Sequence, residues 1–222
     1  AARLFTISFL VLFGELLFIR YLSSNIYLLS YYKNSMLIAI FLGFGIGFML
    51  LKRPRNLVNL VPLATLVLVV AVVSFNDYLR VDLDYGALDE AIWPEFWAND
   101  RARAVPVLAV LVVFYTAMAL YFVPFGQETV RLMSRFRPLA AYSINIAGSL
   151  AGIVAFTAAG YLWAKPLVWF AVLLVPLLVI SRGYATRTTL ILNVLATALT
   201  LFVVFSAAYG PEVWSPYSKV RV

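Results

Sequence analysis

Long, uninterrupted apolar runs dominate the pattern of hydrophobic and polar positions along the chain. A bilayer core about 30 Å thick is crossed by a helix of about 20 apolar residues. Runs of roughly that length predict seven helices, at 4–22, 34–51, 57–75, 104–125, 139–163, 167–181 and 189–209. The sixth run is short for a membrane span, so the count of seven depends on it.

The runs predict helices rather than strands. Strands that cross a membrane are about ten residues long and alternate in character, whereas positions 67–73 and 107–115 do not alternate. Inside lipid, a helix pairs its backbone groups within its own segment. We therefore expect an all-α, polytopic transmembrane bundle of about seven spans over residues 1–209.

Composition narrows the possible functions. The 222 residues are 64% hydrophobic and 12% charged, whereas soluble domains are about 45–50% apolar and about 25% charged. This excludes a soluble enzyme, a disordered tail and a disulfide scaffold. Because the chain has no Cys and no His, it also lacks thiolate and imidazole metal ligands and cysteine nucleophiles. We expect no catalytic residue, metal site or cofactor in these residues.

Basic residues predict the orientation. Eight of them follow the even-numbered spans, against five after the odd-numbered spans. The eight are Lys52, Arg53, Arg55, Arg131, Arg135, Arg137, Arg182 and Arg187. By the positive-inside rule their connections are cytoplasmic, which places the N-terminus inside and the C-terminus outside a bacterial inner membrane. The clusters are typical of contacts with anionic headgroups and do not indicate nucleic acid.

The connection 76–103 is acidic. It holds seven Asp and Glu residues against three Arg, a net charge of −4, in a chain whose net charge is +7. One interpretation is an external patch that binds a polyamine or another cation. The other is a solvated loop whose Trp93 and Trp97 belong to the aromatic belt of the membrane.

Glu15 and Arg20 are charged residues within the first span. A charge at the bilayer centre costs about 2.5–3.5 kcal/mol, and the two side chains point about 140° apart around the helix. Glu15 therefore faces a partner on another helix or a wet cavity, or it is protonated, since burial disfavours the charged form. Its function is either a proton or cation site or a helix-packing hydrogen bond, with Arg20 reaching the interface.

Two glycine patterns predict close helix packing. Gly43 and Gly47 in the second span, and Gly148 and Gly152 in the fifth, are each spaced by four residues. Small residues at this spacing form a narrow face that lets two helix backbones approach in lipid.

Polar residues of the fifth span share the side that carries its glycines. Asn145 and Ser149 are one turn apart. Asn145 is expected to hydrogen-bond across a helix interface, or to line a small polar site together with Glu15 and Arg20.

Glu128 is a carboxylate close to the end of the fourth span. It follows Pro124, at which we expect that span to end. We expect Glu128 to be solvated on a short cytoplasmic helix with Arg131 and Arg135.

Four segments in order resemble a known family. Residues 15–22, with Glu and Arg separated by four positions, run into 24–27 (Ser-Asn-Ile-Tyr), and a Gly-rich helix then ends in basic residues at 43–55. Residues 142–152 resemble a Tyr-x-x-Asp-x-x-Gly-x-x-x-Gly helix, and 213–222 resemble the opening strand of a soluble domain. Together they resemble membrane-embedded spermidine synthase-like proteins. The resemblance implies a membrane module that precedes an aminopropyltransferase-like domain, with residues 210–222 as its first part.

The chain also departs from that family. Asn145 stands where the family has Asp, the first helix has no Trp, and the chain stops where a catalytic domain would begin. We therefore expect a non-catalytic membrane anchor or a polyamine or cation conduit, within a full-length protein that is aminopropyltransferase-like. Seven spans place the tail outside, whereas a decarboxylated S-adenosylmethionine-like donor is expected in the cytoplasm.

Two other functions stay open at this stage. One is a non-enzymatic scaffold subunit of a larger membrane protein complex, consistent with the abundant packing surface and the lack of reactive groups. The other is a secondary transporter, which broken helices and inverted repeats would support, although no repeat relates spans one to three to spans four to six.

Overall fold

A computed structural model of the protein describes residues 1–26, 29–30, 32–53, 56–75, 107–207, 212–214 and 219–221. Its helices there are α1 (Ala2–Asn25), α2 (Lys33–Met49), α3 (Val61–Phe75), α4 (Val107–Met133), α5 (Pro138–Tyr161), α6 (Pro166–Ser181) and α7 (Arg187–Ala207). Short 3-10 turns, Leu50–Lys52 and Leu57–Leu60, follow α2 and precede α3. Two strands, β1 (Glu212–Trp214) and β2 (Lys219–Arg221), form an antiparallel hairpin.

The helices confirm the predicted all-α bundle of a multi-pass membrane protein. Within the described ranges, six helices are long and apolar enough to cross a membrane. The remaining one, α6, has 16 residues and extends about 24 Å at 1.5 Å per residue. It nevertheless reaches from one end of the bundle to the other, and half of its residues are buried among the other helices.

The bundle has two chemically different ends. At the first, which we call the basic end, α1 begins, Arg3 lies over the ring of Tyr184 in the turn after α6, and the connections after α2 and α4 meet. At the second, which we call the tryptophan end, Arg20 lies over Trp169 near the start of α6, and Trp169 contacts Trp214 of the hairpin. The first residues and the hairpin therefore lie at opposite ends.

Helices α2 and α4 pack side by side in the same direction. A Cβ atom at Gly43 would overlap the carbonyl oxygen of Ala119, and one at Gly47 would overlap that of Val123. From the first contact to the second, the position on α2 and the position on α4 both advance by four residues, so the two helices run parallel. Only glycine lets the backbones approach this closely.

Helices α1 and α5 form a second close, parallel pair. A Cβ atom at Gly148 would crowd the carbonyl oxygen of Phe5, and one at Gly152 would overlap that of Phe9. Together with α2 and α4, these helices make the most extensive contacts in the bundle. Both close pairings join helices that are distant in sequence.

The expected end of the fourth helix at Pro124 is wrong, because α4 continues through it to Met133. Proline removes one backbone donor, so the carbonyl of Leu120, one turn earlier, loses its partner. The residues after Pro124 pack firmly, since a Cβ atom at Gly126 would overlap the carbonyl oxygen of Phe44 on α2. This packing keeps the last turns of α4 helical.

Candidate functional site

The end of α4 holds a buried polar cluster at the basic end. Gln127 and Glu128 are fully buried and Thr129 is nearly so. Their helix packs against α2 and against both 3-10 turns. We call these residues, with Asn56 and Tyr184, the Glu128 cluster.

Glu128 receives two hydrogen bonds from different parts of the chain. The side-chain amide of Asn56 donates to Oε2 at 2.8 Å, and the hydroxyl of Tyr184 donates to Oε1 at 2.9 Å. The expectation of a solvated Glu128 is therefore wrong. Its two charge-assisted bonds offset the cost of burying a carboxylate.

Gln127 ties the connection between α2 and α3 to α4. Its Nε2 donates to the carbonyl of Leu50 at 3.1 Å, and its Oε1 accepts from the amide of Leu57 at 3.0 Å. In addition, Oδ1 of Asn56 accepts from the amide of Val58 at 3.0 Å and caps the turn before α3. The cluster satisfies backbone groups that the two helix ends leave unpaired.

Arginines continue the cluster toward the surface. The guanidinium of Arg3 lies 5.1 Å from the centre of the Tyr184 ring, and Arg131 donates to the carbonyl of Arg53. Burial first, and then the hydrogen bond to Glu128, raises the pKa of the Tyr184 phenol above its usual value. The phenol therefore remains a proton donor throughout the neutral range.

The basic residues predicted to be cytoplasmic gather at this end as far as they are described. Exposed side chains there include Lys52, Arg53, Arg135, Arg137, Arg182 and Arg187, and Arg131 is half-buried. Arg55 and the acidic connection 76–103 lie outside the described residues.

The residues predicted to form one intramembrane polar site are not brought together. Ser8 donates its hydroxyl to Oδ1 of Asn145 at 2.8 Å, which joins α1 to α5. Glu15 lies seven residues beyond Ser8 on α1, about 10 Å along the axis. Ser149 is half-buried on α5, one turn beyond Asn145.

Arg20 belongs to the tryptophan end. Its guanidinium carbon lies 4.8 Å from the centre of the buried Trp169 ring, and its Nη1 occupies the space that a Cβ atom at Gly160 would need. On Trp169 the ring of Trp214 packs edge-on, with 5.3 Å between ring centroids. The hairpin is therefore seated on the bundle.

A buried polar stripe on α7 was not identified from the sequence. Asn193, Thr197 and Thr200 are all buried, at the i, i+4 and i+7 spacing of one helix face. The Thr200 hydroxyl donates to its own helix at Ala196, while Nδ2 of Asn193 and Oγ1 of Thr197 have no hydrogen-bond partner among the described residues. This spacing could have indicated the stripe from the sequence, but the high hydropathy of the whole segment obscured it.

The hydrogen bonds described above join helices to the connections between them. In the described part of the chain, no three His, Cys, Asp or Glu side chains lie close enough together to hold a metal ion. The partly buried hydrogen bonds of the Glu128 cluster link four segments of the chain and stabilise the basic end.

Comparison with known proteins adds no relative. No family model, curated protein or solved structure matches the chain.

Proposed function

We propose that the chain is the integral membrane module of a spermidine synthase-like protein in a bacterial inner membrane. Its helices anchor the protein, and its tryptophan end carries a water-soluble aminopropyltransferase-like domain. The module takes no catalytic part in aminopropyl transfer. The observation that carries the proposal is the antiparallel hairpin of β1 and β2, which overlaps the segment that resembles the opening strand of that domain.

The seating of the hairpin supports an anchoring role. Trp214 is 6% exposed and packs on Trp169, which is fully buried in the bundle. A domain that begins from such a fixed aromatic contact is held at a set position relative to the membrane. A freely hinged tail would not position it.

The interior of the bundle favours an anchor over a polyamine conduit. Phe18 of α1 packs edge-on against Phe170 of α6, and both are fully buried, as is Leu173 one turn further. A polyamine carries several positive charges, and its passage needs a polar or hydrated path. The apolar packing at these three residues provides no such path.

The encoding reading frame gives the simplest test. The frame is expected to continue past Val222 into a sequence with a Gly-rich nucleotide-binding turn. A stop codon directly after Val222 would contradict the proposal.

A binding experiment tests the same proposal at the level of activity. The full-length protein in detergent is expected to gain thermal stability with decarboxylated S-adenosylmethionine, and to form spermidine when putrescine is added. S-adenosylmethionine, which keeps its carboxyl group, is the matched control ligand. The absence of both stabilisation and product would exclude aminopropyl transfer.

A further inference from the structure

Glu15 is a buried carboxyl group in the middle of the first membrane helix. It lies 13 residues from the start of α1 at Ala2 and ten from its end at Asn25, and its side chain is 7% exposed. Its position is therefore close to the centre of the bilayer, far from both ends of the bundle.

Among the described residues, no side chain or backbone group donates a hydrogen bond to Glu15. Polar side chains on α1 and on its neighbouring helices have other hydrogen-bond partners. Ser8, two turns earlier, donates to Asn145, and the hydroxyl of Tyr121, whose ring packs on Phe18, is paired with Thr65 at 2.9 Å.

The helices that pack on α1 bring no charge to the depth of Glu15. Contacts to α1 come from α2, α3, α4, α5 and α6. Their charged residues, all at helix ends, are Lys33, Glu128 and Arg131, and their tyrosines are Tyr115, Tyr121, Tyr142 and Tyr161. On α1 itself, Arg20 lies over Trp169 at the tryptophan end.

In the described part of the chain no group stabilises an ionised carboxylate at this position. In an apolar, buried environment an isolated charged carboxylate is far less stable than the neutral acid. A metal ion would need several oxygen ligands, and in the described part of the chain no three His, Cys, Asp or Glu side chains lie close enough together to hold one. The neutral acid requires only a proton.

We propose that Glu15 is a proton-binding site in the membrane core, holding its proton as a carboxylic acid at neutral pH. The ligand is the proton itself, held by a carboxyl group that is 7% exposed. This inference is independent of the proposed anchoring function, because it concerns α1 alone.

Carbodiimide modification of the protein in its native membrane tests the proposal. Carbodiimides react with the protonated carboxyl, and a lipid-soluble reagent reaches a site in the membrane core that a water-soluble one does not. We expect the lipid-soluble reagent to modify Glu15, as located by peptide mass spectrometry, and the water-soluble reagent to leave it unmodified. Glu128 in the same digest is the internal control, and we expect it to react more slowly because both its oxygens accept hydrogen bonds.

The dependence on pH and salt separates a proton from a metal cation. Above the pH at which Glu15 loses its proton, the rate of modification is expected to fall about tenfold for each further pH unit. Sodium chloride, compared with choline chloride, is expected to leave the rate unchanged. Protection by sodium would overturn the proposal in favour of a cation site.

The variant Glu15→Gln completes the test. It is nearly isosteric and neutral, so it is expected to abolish modification of that peptide while the thermal unfolding midpoint stays close to that of the wild type. If the variant does not fold, the peptide map of the wild-type protein still shows whether Glu15 is the modified residue. An unmodified Glu15, equal reaction of Glu15 and Glu128, or equal reaction with the water-soluble reagent would refute the assignment.

Discussion

Asn56 donates its side-chain amide to Oε2 of Glu128 across 2.8 Å, and this bond joins positions 72 residues apart in sequence. Glu128 is fully buried and Asn56 is half-buried, so the bond is partly shielded from water. It holds the start of α3 against the end of α4. The stability of the basic end should depend on it.

Replacement of Asn56 by Ala tests that dependence. Because a hydrogen bond to a charged group contributes about 1.5–3 kcal/mol, Asn56→Ala is expected to lower the free energy of unfolding by about that amount. Denaturant titration in detergent micelles measures it. The control is Asn59→Ala, since Oδ1 of Asn59 has no partner in the described part of the chain; equal losses in both variants would contradict the prediction.

The second prediction concerns the contact between α2 and α4. Gly43→Ala places a methyl group on the carbonyl of Ala119, and overpacking of this kind costs about 1–3 kcal/mol. Gly45 is the matched control, because a Cβ atom there has nothing within 4 Å. The thermal unfolding midpoint should fall clearly in Gly43→Ala and should not fall in Gly45→Ala. Similar midpoints for the two variants would count against the parallel pairing.

The hydrogen bond between Ser8 and Asn145 gives a third prediction. Side-chain bonds between membrane helices contribute about 0.6 kcal/mol on average and up to about 1.7 kcal/mol. A double-mutant cycle with Ser8→Ala and Asn145→Ala is expected to give a coupling energy in that range. Ser143→Ala serves as control, since its hydroxyl donates only to Leu139 of its own helix. A coupling energy of zero would show that the pair is not formed.

The seating of the hairpin gives a fourth prediction. Trp214→Ala removes the ring that packs on Trp169, so the hairpin should detach more often and trypsin should cut faster at Lys219. Each 1.4 kcal/mol of lost contact energy raises the open fraction about tenfold. Mass spectrometry of timed digests measures the rate. The exposed Trp163, replaced by Ala, should leave that rate unchanged, and a wild-type rate in Trp214→Ala would contradict the seating.

The fifth prediction concerns which end of the bundle faces the cytoplasm. The chain has no Cys, so single-cysteine variants can be labelled without background. An impermeant maleimide added to intact cells should label Lys165→Cys and leave Arg137→Cys unlabelled until the membrane is opened, because the basic end is expected to face the cytoplasm. The reverse pattern would invert the orientation and place the tryptophan end, with the proposed aminopropyltransferase-like domain, in the cytoplasm where its donor is expected.

Apolar length made the helices predictable. A run of about 20 apolar residues has little alternative to a helix in lipid, and α5, for example, begins at Pro138 and ends at Tyr161 where the run 139–163 was predicted. The end of α4 was not predictable in this way. There, the contact of Gly126 with α2 outweighs the helix-breaking tendency of Pro124, and it depends on another part of the chain.

The hydrogen-bond partners of the polar side chains could be identified only from the tertiary structure. Spacing places Asn145 on a helix face but does not say which helix covers that face, and the structure gives it Ser8. Glu128 looked exposed because it follows an apolar run and precedes arginines. It is buried and accepts hydrogen bonds from Asn56 and Tyr184, which are remote in sequence.

The parallel pairing of α1 with α5 has a consequence for biosynthesis. Residue 25 ends α1 and residue 138 begins α5, a difference of 113 positions. At about 5–20 residues per second, the ribosome needs roughly 6–23 s to cover that stretch. During this interval α1 resides in lipid without the helix that packs along Phe5 and Phe9, so the insertion machinery or the lipids themselves must cover that face until α5 is synthesised.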